Sequence, residues 1–179
     1  GPQLEATGFF RVEKYNGKWW FVDPEGRLFW SHGFNTVSHL AGGFITARER
    51  YFHGLPDLES PLAAFYYTKQ EYLPGSETLS RFTGFHFGGA NLYRKYGADW
   101  KGMSADVVHR RLRSWGANTI AGFSSGQIYN QSRTPYVVAF PIQCKRIEEA
   151  KGYWREFPDV FDPSFRNNLR YQLKTEYGR

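Results

Sequence analysis

Ser104-Ala105-Asp106-Val107-Val108-His109-Arg110-Arg111-Leu112-Arg113-Ser114-Trp115-Gly116-Ala117-Asn118-Thr119-Ile120 is the stretch on which the fold class turns. Val108, Leu112 and Trp115 recur at i, i+4 and i+7, the spacing of one helical face. Ser104 reads as the N-cap and Gly116 as the residue that ends the helix in a left-handed conformation. Asn118 to Phe123 then reads as a short strand entered directly from the helix. A helix that hands over to a buried strand within a few residues is the repeating step of a parallel α/β sheet.

Upstream, Phe9 to Tyr15 and Lys18 to Val22 alternate as strands around Asn16-Gly17, the dipeptide favoured in a type I′ hairpin turn. Asp23-Pro24-Glu25-Gly26 supplies a second turn. The nearly continuous apolar run that follows is expected to be the first parallel strand, Leu28 to Phe34. From His39 to Trp100 the chain is long, irregular and rich in Gly and aromatic residues. Arg48–Phe52 and Ser60–Tyr67 read there as short helices, and an insertion of this length after a strand is more often functional than decorative. Downstream, Pro135 to Phe140 is expected to be a third buried strand. Asp162-Pro163 opens a last helix with Phe165, Leu169 and Leu173 on one face. Strands alternating with helices suit a TIM barrel and an open doubly wound sheet equally.

Composition narrows the function classes. A chain of 179 residues buries one sizeable core. Its aromatic share is 19%, with 6 Trp, 12 Tyr and 16 Phe, a surplus with two outlets: an oversized core, or a cleft where rings stack on sugars or bases. The net charge of +6 raises a polyanion as partner, but Lys and Arg are scattered, and Arg110, Arg111 and Arg113 read as a solvated helix face. Nucleic acid is therefore not expected. Cys144 stands alone, which excludes an internal disulfide and a Cys-based zinc site. His32, His39, His53, His86 and His109 show no HExxH spacing. Gly42-Gly43 and Gly88-Gly89 lack a P-loop lysine and serine, so neither metal nor other cofactor is expected. No apolar run reaches a membrane span, and Gly1-Pro2 reads as the remnant of a cleaved tag.

Five blocks together resemble a known family. Gly8 to Gly26, Ala90-Asn91-Leu92-Tyr93-Arg94-Lys95-Tyr96-Gly97, Arg111 to Ile120, Pro135-Tyr136-Val137-Val138 and Phe157 to Phe165 are similar, in order and across nearly the whole chain, to glycoside hydrolase family 50, the β-agarases and their relatives. The resemblance implies the N-terminal part of a (β/α)8 TIM barrel, with residues 1–27 as an antiparallel entry hairpin and 28–179 as about three barrel strands. It also implies hydrolysis of β-linked galactan, agarose for example, by two glutamates, an acid/base after the fourth strand and a nucleophile after the seventh. Neither strand is expected here, because a full barrel takes about 250 residues. Secreted or periplasmic location follows from the family, although the chain carries no signal peptide. A second chain, or a C-terminal half, would complete the barrel.

Such hydrolysis needs two facing carboxyl groups, about 5 to 5.5 Å apart for retention and about 6.5 to 9.5 Å for inversion. None of the carboxylates here ends an expected strand. Glu148-Glu149 reads as an exposed ion-pairing turn and Asp162 as an N-cap. The candidate sugar contacts are His32 and Asn35 after the first strand, Ser124 and Ser125 after the second, and Trp154 as a stacking face after the third. Where the family tends toward Gly-Asn-Trp-Ser-Asp, this chain has Ala121-Gly122-Phe123-Ser124-Ser125, which leaves the inherited specificity open. The alternative function is a carbohydrate-binding or scaffold protein without catalysis.

Overall fold

A computed structural model describes residues 1–39, 41–72, 79–139, 142–147 and 157–177. Its chain divides into two compact units, Gly1–Val138 and Ala139–Arg179.

The first unit opens with the expected hairpin. Strands β1 (Arg11–Tyr15) and β2 (Lys18–Val22) pair antiparallel, with Tyr15 opposite Lys18 and Arg11 opposite Val22. Between them Asn16 and Gly17 take φ of 47° and 78°, the left-handed pair that a type I′ turn demands. The Asp23 carboxylate accepts from the backbone of Glu25 and Arg27, and this closes the next turn.

Beyond that turn the expected strand Leu28–Phe34 does not run through. It is cut into β3 (Leu28–Phe29), which extends the entry sheet antiparallel to β2, and β4 (Gly33–Phe34), which belongs to a different sheet. The cut is made by Asn118. Its Nδ2 donates to the Trp30 carbonyl at 2.9 Å, its Oδ1 accepts from the His32 amide at 2.9 Å, and its own amide donates to the His32 carbonyl at 3.0 Å. Backbone groups tied to a side chain are lost to a ladder.

Strand β4 pairs parallel with β8 (Thr119–Ile120), the paired part of the expected strand Asn118–Phe123, and β8 in turn meets Tyr136 through one parallel bridge. Ile120 donates to Pro135 and accepts from Val137, at 2.8 and 2.9 Å. The third expected strand, Pro135–Phe140, is thus a single bridge, with Phe140 outside the described residues. The glycine in β4 is obligatory for this pairing, because a Cβ at Gly33 would overlap the Thr119 carbonyl oxygen.

Helix α2 (Trp100–Ser114) lies on this sheet and buries Ala105 and Leu112 with Ile120 and Ile128, while Val37, Val108 and Tyr129 pack around them. Each large aliphatic side chain, once buried, contributes about 1.5–3 kcal/mol. Gly116 ends the helix at φ 75°, as its position suggested. The start lies elsewhere than expected. The helix begins at Trp100, and Ser104 is an interior, buried residue rather than its N-cap, its Oγ 2.8 Å from His39 Nδ1. A short helix α3 (Gly126–Tyr129) precedes the Tyr136 bridge.

The insertion holds more structure than its composition suggested. Arg48–Phe52 and Ser60–Tyr67 yield only 3-10 turns, Glu49–Tyr51 and Pro61–Phe65. Tyr66 and Tyr67 instead begin a strand, β6 (Tyr66–Tyr72), paired antiparallel along its length with β7 (Leu79–Phe85), with β5 (Gly43–Phe44) on the other side of β7. Helix α1 (Phe87–Tyr96) follows at once. Ile45, Phe65, Phe85, Ala90 and Trp100 form the core between them.

In the second unit Arg146 and Pro158 make an antiparallel bridge, and Asp162 caps helix α4 (Pro163–Gln172) by accepting from the Ser164 amide at 2.8 Å. Hydrogen bonding from Ser164 holds the Asp162 carboxyl below its usual pKa.

Candidate functional site

In parallel α/β sheets, ligands gather at the carboxyl ends of the strands, where loops leave a rigid frame. Here the exits of β4 and β8 are laced together well beyond the strands. Ala121 donates to the Phe34 carbonyl at 2.8 Å, Thr36 to the Gly122 carbonyl at 2.9 Å, and Ser125 to the Val37 carbonyl at 2.8 Å. The Ser124 hydroxyl accepts from the Val37 amide at 3.0 Å and donates to the Ala121 carbonyl at 2.6 Å. Two loops fixed in this way can hold a ligand without first ordering themselves.

Three of the sequence candidates meet at this end. Asn35 is exposed, and a Cβ added at Gly122 would lie 4.0 Å from its Oδ1, so its amide borders the second loop. Ser125 is half-buried at the N-cap position of α3, and its side chain makes no capping bond. Ser124 stands between them with its hydroxyl engaged by two backbone groups. His32 is parted from these three. It precedes β4 rather than following it, is exposed, and sets its Nδ1 3.2 Å from the Trp30 carbonyl. The Asn118 clamp is the reason: by ending β3 at Phe29 it leaves His32 at the entry of the parallel strand. Trp154 and Glu148-Glu149 lie outside the described residues.

One residue of the site escaped the sequence reading. Phe123 adopts φ 60° and is 84% exposed. A bulky side chain in the left-handed region costs about 1–3 kcal/mol, and little packing offsets that here. The aromatic in the Gly-Phe-Ser-Ser turn was the available signal, but left-handed geometry is not readable from residue type when the residue is Phe.

No Asp or Glu occurs in Asn35–Ser38, in Ala121–Ser125 or in Val137-Val138. Among the described residues no three His, Cys, Asp or Glu side chains gather as metal ligands. Two buried histidines carry polar contacts. His109 sets Nδ1 2.9 Å from Thr134 Oγ1 and Nε2 3.2 Å from the Ile128 carbonyl. With Nε2 protonated, it donates to the carbonyl and accepts from the hydroxyl, and burial lowers its pKa. The Ser104–His39 contact has the spacing of a nucleophile and its base, yet both side chains are closed to solvent at 4% and 3% exposure, so it is a core contact. Burial, then Lys101, lowers the His39 pKa.

Two further surfaces are aromatic. An apolar cleft of about 170 Å³ is lined by Phe10, Phe21, Phe29, Tyr136 and Val137. A groove of about 400 Å³ runs along Trp19, Trp20 and Trp30, and Trp19 and Trp30 are 71% and 73% exposed.

An entry sheet, a parallel sheet covered by a helix and a set of laced carboxyl-end loops define a mixed α/β chain with an open platform at its strand exits. No family model matches the chain. Beta-agarase B of Vibrio sp. (strain JT0107) is 32% identical over 97% of the chain and 20% of its own length. Among solved structures, an exo-beta-agarase superposes with TM-score 0.76 and 26% identity, over 97% of this chain and 29% of its own. PfGH50B superposes with TM-score 0.75 and 27% identity, over 97% and 27% respectively. The chain is thus a relative of the β-agarases of glycoside hydrolase family 50. It spans about a fifth to under a third of the length of these relatives.

Proposed function

We propose that this chain forms the first three strands of a (β/α)8 barrel that hydrolyses β-linked galactan such as agarose, in a secreted or periplasmic enzyme. The carrying observation is strand order. Gly33–Phe34, Thr119–Ile120 and Tyr136 lie side by side, parallel and in chain order, with α2 packed on one face. A barrel adds strands in this way, one neighbour at a time. Residues 1–27 serve as the entry region, and 28–179 carry the partial barrel. The acid/base and nucleophile glutamates come from strands outside these 179 residues, in agreement with exits that hold amides, hydroxyls and a ring but no carboxylate. Asn35 and Ser125 are the sugar contacts best supported by their position, and the Ser124 hydroxyl orders the loop that carries them. A C-terminal half or a second chain would supply the remaining strands and cover the apolar cleft, since open sheet edges and apolar surface call for a cover.

The test is reducing-sugar release from agarose by the chain alone, beside a calorimetric melt of the same sample. A cooperative melt with no sugar released is expected. Release of sugar would place the catalytic carboxylates inside these residues and overturn the assignment. A second reading, carbohydrate binding without catalysis, draws on the Trp19–Trp30 groove. It predicts that the chain is retained on agarose through that groove, with Trp19→Ala and Trp30→Ala abolishing retention.

A further inference from the structure

We infer that Phe123 is the stacking platform for an uncharged pyranose ring at the strand exits, an inference that rests on the galactan reading above and adds an aromatic face to the polar contacts Asn35 and Ser125. Five non-glycine residues among those described have positive φ: Asn16, Thr36, Ala47, Phe123 and Ser132. Four of them are small or polar. Phe123 is the only bulky one, and also the only one whose side chain is a large apolar surface left 84% open to solvent. For a bulky residue the left-handed region is a genuine outlier.

Its conformation is imposed from both sides. The Gly122 carbonyl accepts from Thr36, and the Ser124 hydroxyl bridges the Val37 amide and the Ala121 carbonyl. Residue 123 is therefore held in a turn that glycine or asparagine would occupy with less strain. A strained backbone that presents an unpacked ring is poor design for stability, and it sits where parallel sheets bind ligands. A flat, rigid apolar face ordered in advance suits the apolar face of a sugar ring, and it gives up little entropy on binding. Beside it, the exposed Asn35 amide offers a donor and an acceptor to sugar hydroxyls. No Lys, Arg, Asp or Glu occurs in Phe34–Ser38 or Ala121–Tyr129, so the platform suits a neutral galactan over a sulfated one.

The experiment is calorimetric titration of the 179-residue chain with a hexasaccharide from agarose, and with a sulfated galactan hexasaccharide, for wild type, Phe123→Ala, Phe123→Trp and Phe123→Gly, each with its thermal melt. We expect Phe123→Ala to weaken agarose-oligosaccharide binding by about three- to tenfold. Phe123→Trp should retain it. Phe123→Gly should lose binding while melting higher than wild type, a pair of changes that a packing role could not produce. Equal binding by wild type and Phe123→Ala would overturn the platform and leave the galactan reading standing. No binding by folded wild type would overturn both. A lower melting temperature for Phe123→Gly would mean that the ring packs, which also overturns the proposal. Tighter binding of the sulfated oligosaccharide, lost in Phe123→Ala, would overturn the preference for neutral sugar.

Discussion

The two sheets that follow the entry hairpin are built on opposite principles. The insertion sheet β5-β7-β6 pairs two seven-residue strands along their length, and its core is aromatic, with Phe65 in ring contact with both Phe85 and Trp100 beside Ile45 and Ala90. The parallel pair β4-β8 spans two residues on each side and leans on an aliphatic cluster supplied by α2 and α3. The segment whose composition suggested an irregular loop is thus the better built of the two, whereas the segment that carries the fold class is the thinner. Part of the aromatic surplus therefore goes to the core of the insertion, and part remains open at Trp19, Trp30 and Phe123. A parallel strand pair of this length holds only while its helix layer and neighbours hold, whereas the antiparallel hairpin carries its own ladder.

This contrast can be broken most severely at the two glycines that let each sheet close. A Cβ at Gly33 meets the backbone carbonyl of Thr119, and a Cβ at Gly84 meets the outer end of the Tyr67 ring. Backbone cannot step aside, but a ring can turn. Gly33→Ala is expected to cost about 3 kcal/mol or more, Gly84→Ala nearer about 1 kcal/mol. Urea unfolding of the two variants measures this, and equal losses would remove the distinction. The cores come next. Phe85→Ala should cost about 3–5 kcal/mol and Leu112→Ala about 2–5 kcal/mol. Hydrogen exchange should place the first loss in residues 66–72 and 79–85 and the second in 119–120, and uniform loss across both would mean that the two sheets unfold as one.

The smallest effect is that of pH. Burial lowers the pKa of His39 and His86 in the insertion and of His109 beneath the parallel pair, each from 6.5. For His86 the lowering comes from burial alone, and for His39 the Lys101 charge adds to it. The unfolded chain takes up these protons near pH 6.5, while the folded chain refuses them until lower pH. Their contribution is therefore fully present above that pH, is lost as pH falls through it toward the lowered folded values, and is constant below those. Melting temperatures from about pH 8 to about pH 5 should fall once the pH drops below the ordinary histidine range, and His109→Gln should flatten part of that slope. A flat wild-type profile would mean that the histidines are not held neutral.

Local chemistry was legible without a structure wherever one or two residues settle the backbone. Asn16-Gly17 requires a left-handed pair, Gly116 frees a helix end, and Asp162-Pro163 caps and starts α4, so each was readable from a few neighbouring residues. The family resemblance was legible too, because its blocks run through the chain in order. What the tertiary structure alone decided depends on partners far away in sequence. Asn118, 88 residues from Trp30, divides the apolar run that looked like one strand and so parts His32 from Asn35. His39 draws Ser104 into the core from 65 residues away, which makes an expected cap an interior residue. Thr36 and Val37 lock the turn around Phe123. Residue type sets the preferences of a short segment, but where preferences are weak, distant hydrogen bonds choose the conformation, and here they also chose which side chains share the strand exits.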